Sequence, residues 1–492
     1  MKPARHIPQL ALQQQTRRVF LGRTGRTLGS VALASLLNPA LLRATQPGSK
    51  ASRTWPGAIE PLHHPPKIKR VIWLTMAGGP SHLETFDFKP KLAQMDGQPM
   101  PESMTAGQQL AQLQGEKLVC WGPQTSFKRF GRCGAEMTEL FPHVGSIADE
   151  LCIIRSMTTD AINHDPAHTF MNTGSQIVGR PSMGSWVTYG LGSDATDLPG
   201  FVVLVSLGAG RSPQPIAARQ WSSGFLPSRF QGVQLRGRGD PVLYLGNPPG
   251  ISRGQEHDVV HAINLINARY DHIVDDPEIS TRIAQYEMAF RMQSSIPDLT
   301  NISGESKATL DLYGPEATMP GTFSHSCLMA RRLAERGVRC IEIFHREWDH
   351  HGNLTRDLPL QCRDVDHACM GLIKDLKARG MLDETLVVWG GEFGRTVYCQ
   401  GKLTKDDYGR DHHPRCFTMW MAGGGIKGGL VHGETDDFSY NVVRDPVHIR
   451  DINATILHCM GIDHRNLTYR FQGLDQRLTG VEEANPVAPI LA

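Results

Sequence analysis

The sequence lacks the local patterns of several common enzyme and binding classes. None of its 10 cysteines forms a C-x-x-C pair, which argues against zinc-ribbon, thioredoxin and c-type haem motifs. It contains no H-E-x-x-H, and its one G-x-S-x-G match, at 250–254, lies in a Gly/Pro/Arg-rich stretch rather than after a predicted strand, so neither an α/β-hydrolase nor a zincin protease is indicated. The glycine-rich stretch 423–428 lacks the G-K-[ST] of a phosphate-binding loop. The chemistry must therefore be sought in residues that are distant in sequence.

Acidic residues are absent before Glu60, and this sets the N-terminus apart from the rest of the chain. Arg17 and Arg18 stand directly before Val-Phe-Leu, and a modestly apolar stretch, 27–42, follows. This order predicts a twin-arginine signal peptide over 1–44, cleaved near Ala44. The stretch is too short and too rich in Gly and Ser for a membrane span of about 20 residues. We therefore expect export by the twin-arginine translocation machinery, to the periplasm or out of the cell.

Neither sign of charge dominates the sequence, whose formal net charge is +2. Seven of the 51 Lys and Arg residues precede residue 45, so the chain from there on carries 44 basic and 49 acidic residues, a formal charge of −5. Such a body offers no basic surface for nucleic acid or anionic lipid. No later stretch is long and apolar enough for a stable membrane span, so we expect neither nucleic acid nor a membrane as partner.

Strand and helix patterns alternate along residues 67–492, after a Pro/Ser/Gly-rich segment, 45–66, that we expect to be a flexible linker. Continuous apolar runs predict buried strands at 70–75, 151–154 and 201–205, and further strands are predicted at 338–344, 385–389 and 417–421. Amphipathic stretches predict helices at 323–336, 364–379 and 449–460. The alternation predicts a three-layer α/β/α domain with a mostly parallel central sheet. Residues 207–296, first rich in Gly, Pro and Arg and then helical, are expected to form an insertion.

Carboxylate and imidazole side chains cluster next to five of the predicted strands. They lie in the segments 82–87, 163–168, 348–353, 390–396 and 410–413. Ligands of open parallel sheets bind at the carboxyl ends of the strands, so we expect these segments to share one site. Mixed imidazole and carboxylate ligands suit zinc, manganese or iron, whereas an all-oxygen set suits magnesium or calcium. The sequence predicts a divalent metal site, with zinc as the expected ion and Mn, Fe, Ca or Mg as alternatives.

The metal ligands are predicted from their spacing after the strands. The predicted set is Asp87, Asp349, His351, Glu392, His412 and His413. Asp349 and His351 are preferred, because a D-x-H sequence after a strand lets both side chains reach one ion. His350 competes with His351 and His413 with His412, since adjacent side chains usually point apart.

Several segments taken together resemble the DUF1501 family, whose members look like relatives of sulfatases and alkaline phosphatases. The resemblance covers essentially all of 67–492 and rests on the segments 78–87, 348–353, 391–396, 422–425 and 451–463. It implies an alkaline-phosphatase-like fold, one or two metal ions, and a nucleophile at a helix N-terminus that favours bound anions. The substrate that it implies is a small-molecule or glycan ester of phosphate or sulfate.

The sequence departs from the sulfatase pattern at the nucleophile. Where sulfatases carry C/S-x-P-x-R, this chain has His-Asp-Pro-Ala-His at 164–168. Without a hydroxyl or thiol there, His164 could be a ligand or the nucleophile, or a metal-activated water could attack directly. We prefer the water, with His164 or His168 as ligand or acid/base, although both histidines could simply hold the loop. Arg395 is predicted to bind an anionic oxygen of the substrate.

Two further departures concern the ligands. Phe393 stands where a second ligand is expected beside Glu392, and Gly78 follows the first strand where sulfatases have an acidic pair, so Glu84 or Asp87 would have to substitute. The leading hypothesis is an exported metal-dependent hydrolase. The alternative is a non-catalytic binding protein with a structural or vestigial metal site. We expect Asp349→Ala and His351→Ala to lose metal and His164→Ala to keep it.

Overall fold

The computed structural model describes residues 55–108, 110, 117–210, 216–243, 246, 250–274, 277–399 and 408–492. The predicted signal peptide, 1–44, and the first part of the predicted linker, 45–54, lie outside these residues. In the part of the chain that is described, no helix combines the length and apolar character needed to cross a membrane.

Strands and helices alternate along the chain. The strands are β1 Arg70–Met76, β2 Phe127–Phe130, β3 Ala135–Thr138, β4 Leu151–Thr158, β5 Phe201–Ser206, β6 Val233–Leu235, β7 Cys340–His345, β8 Thr385–Gly390, β9 Gly394–Cys399, β10 Arg410–His413, β11 Phe417–Gly423, β12 Leu430–His432, β13 Glu434–Thr435, β14 Val442–Arg444, β15 Val447–His448, β16 Tyr469–Phe471 and β17 Leu474–Gln476. The helices are α1 His82–Thr85, α2 Pro90–Gln94, α3 Glu102–Thr105, α4 Pro142–Gly145, α5 His164–Thr173, α6 Met183–Leu191, α7 Arg253–Val274, α8 Pro277–Thr300, α9 Lys307–Tyr313, α10 Phe323–Glu335, α11 Leu354–Ala378 and α12 Ile449–Cys459.

A nine-stranded sheet in the order β12-β4-β11-β8-β1-β7-β5-β6, with β15 also paired to β4, forms the centre of the fold. β11 runs antiparallel to β4 and β8, whereas the other pairings in this sheet are parallel. Successive side chains of a strand point to opposite faces. Accordingly, Ile72 and Leu74 enter one apolar cluster with α10 and α11, and Val71 and Trp73 enter another with α5, α6 and α12. The predicted mostly parallel sheet, covered on both faces, is confirmed.

Three predicted segments can be compared with the structure. Residues 55–59, within the predicted linker, dock on α6, where Trp55 Nε1 donates to Tyr189 O at 2.7 Å and Ile59 N to Gly190 O at 3.0 Å. The helix predicted at 364–379 begins at Leu354, because Pro359 removes one hydrogen bond in the second turn without ending the helix. The insertion predicted at 207–296 contributes β6 to the sheet, so that part of it belongs to the core.

Glu342 is a buried acid in the middle of β7, with 5% of its surface exposed. Burial raises the pKa of its carboxyl to about 8, and the hydrogen bond from Thr75 Oγ1, at 3.5 Å, lowers that pKa only in part. Between the ordinary pKa of 4.5 and about 8, the folded state keeps a proton that the unfolded state has released. The free energy of unfolding therefore falls as the pH rises through this window, by about 1.4 kcal/mol per pH unit.

Glu342→Gln should remove this loss, because the amide cannot ionise. We expect the variant to match the parent protein near pH 4.5 and to become progressively more stable than it towards pH 8. The measurement is urea unfolding of chelator-treated protein at both pH values, with the exposed Glu384→Gln as control. A stability difference that does not change with pH would contradict the prediction.

Candidate metal centre

The topology of the sheet gathers the predicted segments at one edge. β4, β7 and β8 end there, and α5, the segment before α11 and Glu392 follow them in turn. β11 is antiparallel to its neighbours, so its amino end lies at the same edge. β10, which directly precedes β11 in the chain, also lies next to the site. Side chains from four distant parts of the sequence therefore meet at the carboxyl ends of the parallel strands.

Four of these side chains form a compact donor cluster: His164, Asp349, His351 and His412, whose candidate ligand atoms all lie within 4.8 Å of one another. Asp349 Oδ1 lies 2.9 Å from His351 Nε2 and 3.4 Å from His412 Nε2, and Asp349 Oδ2 lies 3.2 Å from His164 Nε2. The Nε2 atoms of His351 and His412 are 2.9 Å apart. Three imidazole nitrogens and one carboxylate are donors that suit zinc, manganese or iron.

Hydrogen bonds behind the cluster fix which ring nitrogens face it. His412 Nδ1 lies 2.8 Å from the carbonyl oxygen of Ile162, which can only accept, so Nδ1 donates and Nε2 keeps its lone pair. His164 Nδ1 lies 2.5 Å from Glu392 Oε1 and is oriented in the same way by a carboxylate. A lone pair of His412 facing Asp349 is repulsive unless a proton or a cation lies between them. This is the arrangement of imidazoles that ligate a metal through Nε2, so the residues present fit a divalent ion.

The electrostatics of the cluster give Asp349 and His412 the protonation states that metal ligands need, whereas His164 must release a proton when it ligates an ion. Burial raises the pKa of Asp349, but the charge of Arg395 and the contacts with the three histidines outweigh it and hold that pKa well below its ordinary value. Burial lowers the pKa of His412 to about 4, against the contact with Asp349. Burial also lowers the pKa of His164, but hydrogen bonds to Asp349 and Glu392 prevail and raise it to about 9. In this protein a carboxylate thus faces a neutral imidazole at neutral pH.

Glu392, a predicted ligand, is anchored by backbone amides. Gly78 N lies 3.0 and 3.1 Å from its two oxygens, and Gly79 N lies 3.1 Å from Oε2. Burial raises its pKa, but His168, whose Nε2 lies 3.3 Å away, and His164 prevail and lower it to about 2. Glu392, His164 and His168 are a second group whose donor atoms could hold an ion. Both Glu392 oxygens are already engaged, so its clearest role is to orient His164.

Two other predicted ligands, Asp87 and His413, lie outside the cluster. Asp87 is fully buried, accepts hydrogen bonds from the hydroxyls of Thr435 and Ser439, and lies 3.2 Å from Lys89 Nζ. His413 Nε2 donates to Tyr440 O at 2.6 Å. Neighbouring strand residues point to opposite sides, so when His412 faces the cluster His413 faces away. In this structure, therefore, neither Asp87 nor His413 lies with the four donors.

Arg395 is buried and bonded to the protein, unlike an arginine that is exposed in a pocket to bind a substrate. It is 1% exposed, and its Nε, Nη1 and Nη2 atoms all donate to protein acceptors, among them Asp349 Oδ1 at 2.6 Å. The Phe393 ring lies 4.9 Å from that of His164 and 4.5 Å from that of His412, measured between centroids, and closes one side of the cluster. Each guanidinium nitrogen of Arg395 already donates to the protein and the side chain is buried, so this arrangement does not favour the predicted anion-binding role.

Sequence reasoning missed the backbone groups that hold these ligands. Gly78 and Gly79 have φ values of +122° and +72°, which let consecutive amides point at one carboxylate. A Cβ on Gly78 would lie 2.4 Å from Asp349 N, so a larger residue could not be accommodated there. Two consecutive glycines directly after a strand were an available signal of such an anion cradle. The carbonyl of Ile162 has no side-chain signature that could have revealed it.

The chain belongs to the DUF1501 family, described as a protein of unknown function, whose model matches residues 68–491. Among solved structures it is similar to a sulfatase from Pseudoalteromonas sp., with 12% identity, a TM-score of 0.33, and coverage of 86% of this chain and 72% of that one. It is also similar to the alkaline phosphatase of the Antarctic bacterium TAB5, with 11% identity, a TM-score of 0.31, and coverage of 80% and 98%. A phosphonate monoester hydrolase from Silicibacter pomeroyi shows 13% identity, a TM-score of 0.28, and coverage of 65% and 68%. The search of curated proteins found no match.

Proposed function

We propose that this member of the DUF1501 family is an exported, metal-dependent hydrolase of a small-molecule or glycan ester of phosphate or sulfate. The observation that carries the proposal is the convergence of His164, Asp349, His351 and His412 on one point. Three imidazoles and one carboxylate leave room in the coordination sphere of zinc, which can expand beyond four ligands, for a water or a substrate oxygen. An ion held there would lower the pKa of a bound water and polarise the ester.

The residues of the chain would serve this reaction by position and charge. Glu392 accepts a hydrogen bond from Nδ1 of His164 and so keeps Nε2 of His164 directed at the ion. Phe393, fully buried, keeps water from one side of the cluster. The site lies at the start of α5, whose N-cap residue, Asn163, makes no side-chain capping bond. The first-turn amides and the helix dipole favour an anionic group there, which suits a phosphate or sulfate ester.

The nucleophile in this proposal is water. α5 begins with His164, and the turn that carries it, 163–168, has no serine, threonine or cysteine that could form a covalent ester intermediate. His164 is committed through Nδ1 to Glu392 and faces Asp349 through Nε2. Ligation of the metal by His164 therefore suits its hydrogen bonds better than attack on the substrate.

A second function, non-catalytic binding through the metal, is favoured by one observation. Arg395 is the guanidinium in contact with Asp349, and it is committed to protein acceptors rather than presented to a ligand. A site that binds an ester anion tightly would ordinarily present such a group. Metal content and turnover distinguish the two functions.

The purified protein should contain about one tightly held divalent ion per chain, with zinc expected from the donor set. Removing the ion with a chelator should abolish hydrolysis within a panel of aryl phosphates, phosphodiesters and aryl sulfates, and zinc should restore it. The measurements are elemental analysis and product release. Less than one ion per chain after metal supplementation would overturn the hydrolase proposal. Full metal occupancy without turnover on the panel would favour the binding function.

A further inference from the structure

Arg395 connects three separate segments of the site through one guanidinium. Nε donates to Gly79 O at 2.9 Å, Nη1 to Arg410 O at 2.9 Å, and Nη2 to Asp349 Oδ1 at 2.6 Å. Nη2 also donates to Gly78 O and lies 3.4 Å from Trp348 O. These acceptors belong to the segment after β1, the segment after β7 and strand β10. A planar, permanently charged fork can serve so many acceptors, whereas an ammonium group cannot match their directions.

The pairing of β9 with β10 adds His412 to this arrangement. In that antiparallel ribbon, Arg395 stands directly opposite His412 in the register. The guanidinium of Arg395 then reaches Asp349, which lies 3.4 Å from His412 Nε2. Arg395 thus relates the strand that carries one candidate ligand to the loop that carries two others, Asp349 and His351.

We propose that Arg395 is a positioning residue that preassembles the metal centre by holding Asp349 Oδ1 and strand β10 at a fixed separation. The inference rests on the metal-binding part of the proposed function and assigns Arg395 no contact with substrate. The backbone conformation of the loop that carries Asp349 is uncommon, so contacts from elsewhere in the fold must hold it in place. Glu347, just before it, and Asn353, just after it, both have positive φ values, +80° and +53°, an uncommon conformation for residues other than glycine.

Arg410 supplies a matched control in the same ribbon. It is as deeply buried as Arg395 and donates to the carbonyls of Thr396, Trp121 and Gly122, as well as to the carboxylate of Glu84. Its described hydrogen bonds and ion pair go to other residues than the four donors. Arg410→Lys therefore removes a comparable network without touching any of the four donors of the cluster.

The test compares Arg395→Lys with Arg410→Lys in full-length protein, with zinc affinity measured by chelator competition and coordination by the absorption spectrum of the Co²⁺-loaded protein. We expect Arg395→Lys to lose about 10- to 100-fold in zinc affinity, the range seen when partners of metal ligands are removed. Its Co²⁺ spectrum should change. Arg410→Lys should lower the melting temperature yet keep zinc affinity within about twofold, as uncoupled sites do. In an Asp349→Asn background, Arg395→Lys should have no further effect on affinity.

Unchanged zinc affinity and an unchanged Co²⁺ spectrum in folded Arg395→Lys would overturn the inference, and so would an equal loss in Arg410→Lys. If Arg395→Lys does not fold, an experiment on the wild-type protein still tests whether Arg395 lies beside the metal. Arg-selective ¹⁵N labelling with Co²⁺ should reveal one guanidinium with strong paramagnetic shifts, and the absence of such a signal would overturn the inference. If the wild-type protein binds zinc but hydrolyses no ester, the hydrolase proposal is contradicted. The inference about Arg395 is then still decided by the zinc affinities of the variants.

Discussion

His351→Ala and His412→Ala should each weaken zinc binding by more than about 100-fold, which exceeds the usual effect of removing an outer partner of a ligand. Both imidazoles direct Nε2 at Asp349, from 2.9 and 3.4 Å, and at each other. Removing either leaves three donors and a gap that water must fill. Turnover, if the protein is a hydrolase, should fall in parallel.

The neighbouring histidines provide controls of identical chemistry. His413 directs Nε2 at Tyr440 O, and the buried ring of His350 has no hydrogen-bond partner in the described structure. His350→Ala and His413→Ala should lower thermal stability, because each leaves a cavity, but should retain zinc. The measurements are zinc affinity by chelator competition and near-ultraviolet circular dichroism. Loss of zinc in His413→Ala with retention in His412→Ala would reverse the assignment of the pair.

The layout of the sheet could be predicted from sequence because most of its strands are apolar runs. In β8 the run Leu386 to Trp389 is wholly apolar and buried, whereas in β7 the buried Glu342 interrupts the apolar pattern without ending the strand. The start of α11 was not predictable, since Pro359 resembles a helix boundary. Docking of residues 55–59 also could not be foreseen, because it depends on hydrogen bonds to the backbone of Tyr189 and Gly190, which leave no trace in composition.

The position of the candidate site was predictable, whereas the choice among neighbouring ligands was not. Parallel strands deliver their following loops to one edge, and that rule needs no side-chain detail. Whether His350 or His351 faces the cluster depends on loop conformation, including the positive φ of Glu347, for which a glutamate gives no signal. His164 also differs from expectation. Its Nε2 belongs to the donor group, so we now expect His164→Ala to weaken metal binding rather than to preserve it.

Glu84→Ala should lower the free energy of unfolding by about 3–5 kcal/mol, the effect of removing one member of a buried ion pair. Glu84, a weaker ligand candidate from sequence, instead pairs with Arg410, and both side chains are fully buried. Arg410 Nη2 lies 2.6 Å from Glu84 Oε1, and Nε lies 3.0 Å from both carboxylate oxygens. Alanine would leave the guanidinium with carbonyl partners alone and no opposing charge.

The control for this pair is Glu384→Ala, whose partner Lys69 lies at 2.7 Å while the two side chains are 55% and 45% exposed. Exposed pairs contribute about 1 kcal/mol or less. Urea unfolding of chelator-treated protein should therefore separate the two variants clearly, and equal losses would contradict the prediction. Glu84→Met combined with Arg410→Met should recover much of the loss, because the cost lies in the unpaired charge.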